Sequence, residues 1–410
     1  MPALNQYFGK GFIGVAPEAV IGTPVPASSY LQLLDESIEH TPGVVFEDLL
    51  RNSRDTSYVP VIAEQAIKGK VDVPLYVDQG LPLLAAAIGS DTYQSSTAAG
   101  VLVAIGASGA GLAAGSSAVT ITTQTATPIA AGDYLQIQQA TGAPSTVNLS
   151  EVHKVLSVTG AGPYVLALQT GETLRNTYTT AGVVARIPAA TVVFTHNLLP
   201  DQPGASSYKT VTMEKNLNGL TSLQYAGTTV SKASLSLDTK GAAKMGYDVS
   251  AVGPEAQITA SVPTYGTSSP LALANYALSL FGANDTSVQS FSLDIDQMAK
   301  EFYTFNGTNL PAMVPPVKRK ISGKFANIVQ DMTRYNAMVA GTVGAAVLTL
   351  AQAANSIVFT LPKIIMTKLS MPLKLGDLLL YDATFDAPLD DVTGHSVAVT
   401  VTNGTWLPFI

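Results

Sequence analysis

Histidines and paired carboxylates are the residues here whose chemistry could go beyond packing, and they are few. The four histidines are His40, His153, His196 and His395. No two stand three or four apart, so no helical face offers two imidazoles to a metal. HExxH, GxSxG and P-loop patterns do not occur. His153 adjoins Lys154 in an alternating stretch and reads as a surface or strand-edge residue. Asp390-Asp391 reads as a solvated turn. Asp294-Ile295-Asp296 would place two carboxylates on one face of a strand, where they could hold a cation. The Asn-x-Ser/Thr sequons at Asn148, Asn284, Asn306 and Asn403 would matter only on a secreted chain. Gly9-Lys10-Gly11 lacks the strand-to-helix context of a nucleotide loop. With no cysteine in the chain, thiolate catalysis, disulfides and zinc–thiolate sites are excluded. The expectation is a chain with no catalytic residue, no cofactor and no metal, whose chemistry is its packing.

The elements that would carry these residues repeat. Residues 67–89 read IKGKVDVPLYVDQGLPLLAAAIG and residues 321–341 read ISGKFANIVQDMTRYNAMVAG. Both open Ile-x-Gly-Lys (Gly69-Lys70, Gly323-Lys324) and continue as a short alternating strand. Both then pass an acidic residue (Asp78, Asp331) and enter an apolar helical stretch that stops at glycine (Gly89, Gly341). Pro82 suits the first turn of the first helix. A similar strand follows each copy, Val192-Val193-Phe194-Thr195 and Ile357-Val358-Phe359-Thr360. A repeated strand–helix–strand unit points to a duplicated domain, and the common reasons for one are symmetry and assembly.

Most of the remaining chain reads as strand. Residues 1–40, interrupted by Gly9, Gly11, Gly14, Pro17, Gly22, Pro24 and Pro26, read as an extended arm or long loop. Residues 44–77 alternate around Val44, Val45, Val59, Val61, Ile67, Val71 and Val73. From 95 to 190 the texture changes to short strands (AVTITTQ, GDYLQIQ, EVHKVLSV, YVLALQT, VVARI) separated by turn residues, the pattern of a small antiparallel barrel or sandwich. The second copy spans the same join with a short loop, so 95–190 reads as an inserted domain that projects outward. Further strands are expected at 208–215, 223–237, 243–262, 289–298, 301–307, 357–369, 378–386 and 395–403. A helix is expected at 271–281, with Leu271, Leu273, Tyr276, Ala277 and Leu280 along one stripe. PAMVPP (311–316) reads as a turn or edge segment. The fold class is mainly β with a few short helices (α+β). Residues 1–94 and 191–255 form a first domain with the N-terminal arm, 95–190 the insert, and 256–410 a second domain.

Composition limits the partners. Charged residues are 12% of the chain, about half the usual share, so Ser, Thr, Gln and Asn must cover much of the surface. Such a surface suits a protein mostly covered by neighbouring copies of itself. The net charge is −7 and the longest basic run is Lys318-Arg319-Lys320. A sequence-specific DNA binder would carry a basic face, whereas a mildly acidic surface suits a conduit along which DNA slides without sticking. The N-terminus MPALNQYFGKGFIGVAPEAV lacks the basic region and apolar run of a secretory signal. The uncharged stretches 92–119 and 335–362 are too polar or too interrupted for membrane spans.

Several segments resemble the tail tube, or major tail, proteins of long non-contractile-tailed bacteriophages. They are GFIGVAPEAVIGTPVPASSYLQLL (11–34), the strand region holding Arg51 and Arg54, GKVDVPLYVDQGLPLLAAAIG (69–89), the long stretch 208–253, and the closing 357–388 followed by a terminal apolar strand. The resemblance covers about 1–94 and 191–410 and leaves out the insert. It implies β-sandwich or half-barrel domains that pair strands with neighbouring subunits to close a β-barrel around a lumen, with rings that stack. Its partners would be itself, the tape measure protein and transiting DNA in the lumen, and tail terminator and tail tip proteins, with no membrane. The location would be the virion tail after assembly in the host cytoplasm. Two tube domains per chain would give a trimer with pseudo-sixfold symmetry rather than a hexamer. The alternatives are another virion structural protein, such as a decoration or tail terminator subunit, and a secreted or outer-membrane β-protein. A carbohydrate-binding insert would want aromatics, but the lone Trp406 lies outside it. Inter-ring contacts are expected in 1–40 and in the loops 40–58 and 311–319. Deleting residues 1–25 is expected to block polymerisation and leave the fold intact.

Overall fold

The structure, a computed structural model, describes residues 11–47, 59–95, 102–104, 115–121, 129–138, 150–160, 163–170, 172–174, 183–187, 193–200, 208–217, 221–266, 268–305, 307–372, 379–405 and 409–410. Arg51, Arg54, Asn148, Val192, Asn306, Trp406 and residues 1–10 lie outside them. Among the described residues the protein is mainly β, with two short α-helices and a curled half-barrel sheet.

The first part of the chain runs β1 (Ile13–Pro17), β2 (Ser29–Leu31), β3 (Asp35–Glu36), β4 (Glu39–Glu47), β5 (Val59–Pro74), α1 (Leu81–Ile88) and β6 (Gly89–Ser95). Six short strands follow: β7 (Leu102–Ala104), β8 (Ala118–Ile121), β9 (Tyr134–Gln138), β10 (Ser150–Thr159), β11 (Tyr164–Leu168) and β12 (Val183–Ile187). They form a separate sheet in the order β7-β12-β9-β10-β11-β8. Most of it closes over its own apolar cluster, including Val119, Ile121, Leu135, Ile137, Val155 and Leu166. The chain returns through β13 (Phe194–Pro200), β14 (Val211–Leu217), β15 (Thr221–Asp238), β16 (Lys244–Ala251) and β17 (Glu255–Ile258). It ends with β18 (Tyr276–Leu280), β19 (Ala283–Asn284), β20 (Val288–Asp296), β21 (Lys320–Ile328), α2 (Thr333–Val339), β22 (Val343–Gln352), β23 (Asn355–Ser370), β24 (Leu380–Asp386) and β25 (Ala398–Asn403). All but the six strands of the insert belong to one 19-stranded sheet system.

The pairing pattern occurs twice. In the first half β14 pairs the front of β15, the back of β15 pairs β16, and β16 pairs β5. In the second half β22 pairs the front of β23, the back of β23 pairs β24, and β24 pairs β21. The bulges match as well. The β15–β16 register shifts between Val230 and Lys232, and the β23–β24 register between Met366 and Lys368. At the extra residue Ser231 Oγ donates to the Asp248 carbonyl (3.0 Å), and Thr367 Oγ1 donates to that of Thr384 (3.2 Å). A bulge twists its strand locally, so a shared bulge means a shared strand shape. This pairing makes β15, not β13, the counterpart of β23. The look-alike strands at 193–195 and 357–360 are neighbours across β25: Phe194 faces Asn403, and Ile357 faces Val401.

Ladder geometry also explains the repeated Gly-Lys. A Cβ on Gly69 would lie 2.5 Å from the Ser37 carbonyl oxygen and 2.4 Å from the Ile38 Cα. On Gly323 it would lie 2.5 Å from the Ser292 carbonyl oxygen and 2.3 Å from the Phe385 ring. Backbone approaches this close exclude any side chain.

The two helices differ in what holds them. All eight residues of α1 are buried, so packing holds a helix too short to persist alone. Its terminal carbonyls accept from the second half of the chain, Gln297 Nε2 to Ala86 (3.1 Å) and to Ala87, and Arg319 Nη2 to Ile88 (2.7 Å). α2 buries no residue and stops before Gly341, which sits at φ 64°.

Two expectations fail. Residues 271–281 are not a helix but a 3₁₀ turn (Leu273–Asn275) followed by β18. Leu278 and Leu280 point inward at period two, and β22 needs a partner along that edge. A short apolar run cannot by itself distinguish helix from strand. The described residues 301–305 and 307 form no strand and keep one isolated bridge, Phe302 to Met313. The N-terminal arm is also shorter than expected. β1 lies in the sheet with Ile13 and Val15 fully buried, and the Glu18 carboxylate accepts from Gly22 N (2.9 Å), Thr210 Oγ1 (2.7 Å), Thr212 Oγ1 (2.7 Å) and Gly227 N (2.7 Å). Among the described residues no helix is long and apolar enough to cross a membrane.

Removing residues 1–25 should therefore lower the melting temperature sharply rather than leave the fold intact. Gly69→Ala and Gly323→Ala should each cost about 1–3 kcal/mol through overpacking, read as a shift in denaturant midpoint, while Gly241→Ala, whose Cβ would meet nothing within 4 Å, should be near neutral.

Candidate assembly surfaces

Most of the described histidines and carboxylates singled out by the sequence are held in structural contacts. His196 and Asp91 are fully buried side chains 3.0 Å apart, and the other ring nitrogen of His196 lies 2.9 Å from the Thr405 carbonyl. Phe409 stacks on the imidazole at 4.0 Å, and its N–H donates to Asp91 (2.8 Å). This knot fastens the C-terminal residues to β13 and β6. His153 is buried, not at the surface. It packs inside the insert with its Nδ1 3.1 Å from Glu172, because β10 turns it toward the loop after β11. His40 is exposed beside Gln65, and the His395 carbonyl accepts from the Asp390 N–H within a turn.

The paired carboxylates have protein partners. Asp294 accepts from Ser234 Oγ (2.7 Å) and pairs with Lys232 (3.3 Å), while Asp296 accepts from the Met298 N–H (2.8 Å). No group of three or more acidic or histidine side chains suited to a metal occurs among the described residues. Asp390 accepts from the Thr393 hydroxyl and N–H, which hold its carboxyl below the usual carboxylate range. Of the sequons, Asn284 is exposed, while Asn403 is buried and donates to the Val77 carbonyl (2.9 Å).

The surface that stands out is a projecting hairpin. At its outer end Val44 faces Ile62, Val45 faces Val61, and Phe46 faces Pro60. Val44, Val45 and Phe46 are consecutive and all exposed, Phe46 by 58%. Successive strand residues point to opposite faces, so both faces of this ribbon are open and it stands away from the body. A two-stranded ribbon alone is marginal in water, and contiguous exposed apolar residues mark an interaction surface. Residues 301–309 support its base. Asn309 Nδ2 donates to the Ile62 carbonyl (3.1 Å), the Gln65 N–H to the Asn309 carbonyl (2.7 Å), and the Tyr303 hydroxyl to the Gln65 carbonyl (3.1 Å). Burial, then the Glu301 carboxylate, pushes the Tyr303 phenol up to about 12. Between ribbon and loop lies a cleft of about 700 Å³ bordered by Val44, Val45, Glu64 and the fully exposed Phe305. The loop's part was not foreseen; its only signal was the aromatic run Phe302, Tyr303, Phe305. Of the segment 311–319, Pro311 and Val314 are buried and Val317 is exposed.

An antiparallel sheet with duplicated halves, an apolar ribbon standing off the body and polar groups spent on packing define a self-assembling structural subunit. A family model described as phage tail tube protein matches residues 10–401. The chain belongs to the phage tail tube protein family and is a structural subunit of the virion tail that self-assembles into a tube. Membership implies a non-enzymatic role. Comparison with curated proteins returns no match.

Removing the buried imidazole with His196→Ala leaves the buried Asp91 carboxylate without one of its hydrogen-bond partners and should lower the unfolding free energy by about 1–3 kcal/mol, read from denaturant titration. His40→Ala should be near neutral.

Proposed function

We propose that three copies of this chain form each ring, with pseudo-sixfold symmetry from two tube domains per copy, and that rings stack around a lumen carrying DNA and the tape measure protein. The first domain comprises 1–94 and 191–255 with its N-terminal arm, the second 256–410, and the insert 95–190 faces outward. Tail terminator and tail tip proteins close the ends, and assembly takes place in the host cytoplasm. The observation that carries this reading is the doubled ladder, β14-β15-β16-β5 and β22-β23-β24-β21, with its bulges in register. A chain that holds two equivalent units needs half as many copies to close a ring as a chain that holds one. The net charge of −7 suits a passage that does not retain DNA.

The β4–β5 ribbon makes the contact from one ring to the next, with the N-terminal residues and the 311–319 segment beside it. Its apolar residues are worth burying, at about 25 cal/mol per Å² removed from water, and no partner for them lies within the chain's described residues. Val45→Asp with Phe46→Asp should leave the melting temperature within a few degrees of wild type and abolish tubes in negative-stain micrographs, leaving single rings. Normal tubes from this variant would remove the ribbon from the stacking contact.

A further inference from the structure

The two repeats meet inside the chain at an antiparallel ladder in which the back of β15 pairs β20: Lys232 faces Asp296, Ser234 faces Asp294, and Leu235 faces Leu293. Each partner in this join has a counterpart whose matching edge is open. The counterpart of the back of β15 is the back of β23. Aligned on their bulges, Lys232 corresponds to Lys368 and Ser234 to Ser370. The counterpart of β20 is the stretch through β3 into β4. β20 pairs β21 as β3 and β4 pair β5, so Asp294 corresponds to Glu39 and Leu293 to Ile38. The glycines support this alignment, since Gly69 abuts Ser37 where Gly323 abuts Ser292. Among the described residues β4 pairs only β5, and residues 366–370 of β23 pair only β24.

Resting on the tube reading above, we propose that the back of β23 in one copy pairs with the β3–β4 edge of the next copy in the register of the internal join. Glu39 would face Ser370, and Ile38 would face Met371. The chemistry at the internal join is conserved at these positions. Internally, Asp294 takes a hydrogen bond from Ser234 and an ion pair from Lys232. Across copies, Glu39 would take the same pair from Ser370 and Lys368. All three are exposed, and among the described residues Glu39 and Lys368 have no ion-pair partner. Pro372 fits the register too. It would face Ser37, whose N–H is already turned inward to the Lys70 carbonyl (2.9 Å), so the N–H that proline lacks is not needed there.

The free edge is guarded. The Ile38 N–H donates to Glu36 (3.1 Å), the Ile38 carbonyl accepts from Lys215 Nζ (3.0 Å), and Lys215 pairs with Glu36 (2.8 Å). Side-chain cover of this kind blunts an edge against indiscriminate pairing, and Lys215 has to move aside when the next copy docks.

Two sets of variants test the register. Glu39→Lys and Lys368→Glu, each placing like charges across the join, should raise the protein concentration needed for assembly by about tenfold or more, and the two together should restore it. Because the chain has no cysteine, Glu39→Cys with Ser370→Cys is a clean crosslinking pair. Oxidised assemblies should run as covalent oligomers on denaturing gels, with bands ending at the ring size, and neither single cysteine should do so. Tubes that form normally from both single charge reversals and give no crosslink would overturn the register while leaving the tube reading in place. Wild-type protein that stays monomeric at every concentration would overturn both.

Discussion

The ladder between β15 and β20 is the interaction on which the rest of the molecule depends. It joins the back of an 18-residue strand in the first half of the chain to β20 in the second. Its two faces divide the work. Ala233, Leu235, Leu237, Phe291, Leu293 and Ile295 are buried on one side, while Lys232, Ser234 and Asp294 fix the register on the other. A slip of one residue would turn every core side chain outward. The second covalently distant join, β13 with β25, ties the chain's end back to its first half and carries the buried His196–Asp91 pair.

Few charges are available in this chain, and two carboxylates, the partly buried Glu18 and the buried Glu214, hold distant segments together. Glu18 gathers β1's exit, β14 and β15 through four donors. Glu214 takes the N–H (2.9 Å) and hydroxyl (2.6 Å) of Ser261. Burying a carboxylate is costly unless hydrogen bonds replace its water, and each of these is supplied with them. A sparsely charged chain of this kind suits a subunit that self-assembles.

The repeated strand pairing was legible in the sequence because its strongest signal, Gly69-Lys70 and Gly323-Lys324, reports close approaches that leave no room for a Cβ. The five strands expected in the insert are all present, because their alternation and turn residues are local signals. What the sequence did not reveal depends on distant partners. Residues 276–280 are a strand because β22 lies beside them, and Val193-Phe194-Thr195 matches Ile357–Thr360 in residue type yet occupies a different place in the pairing. The burial of His196 depends on Asp91 and Phe409, and that of His153 on Glu172, separations that no spacing rule spans. Nor could spacing show that Lys232 and Ser234 approach Asp294 from the facing strand.

The central claim is that the join inside the chain is repeated between chains. An electron cryomicroscopy reconstruction of the assembled tube tests it most directly. The account predicts one continuous ladder around the lumen, in which residues 368–371 of each copy run antiparallel to residues 38–41 of the next with the spacing seen between β15 and β20. A tube in which either of these edges faces solvent, or in which a different pair of strands closes the ring, would contradict it.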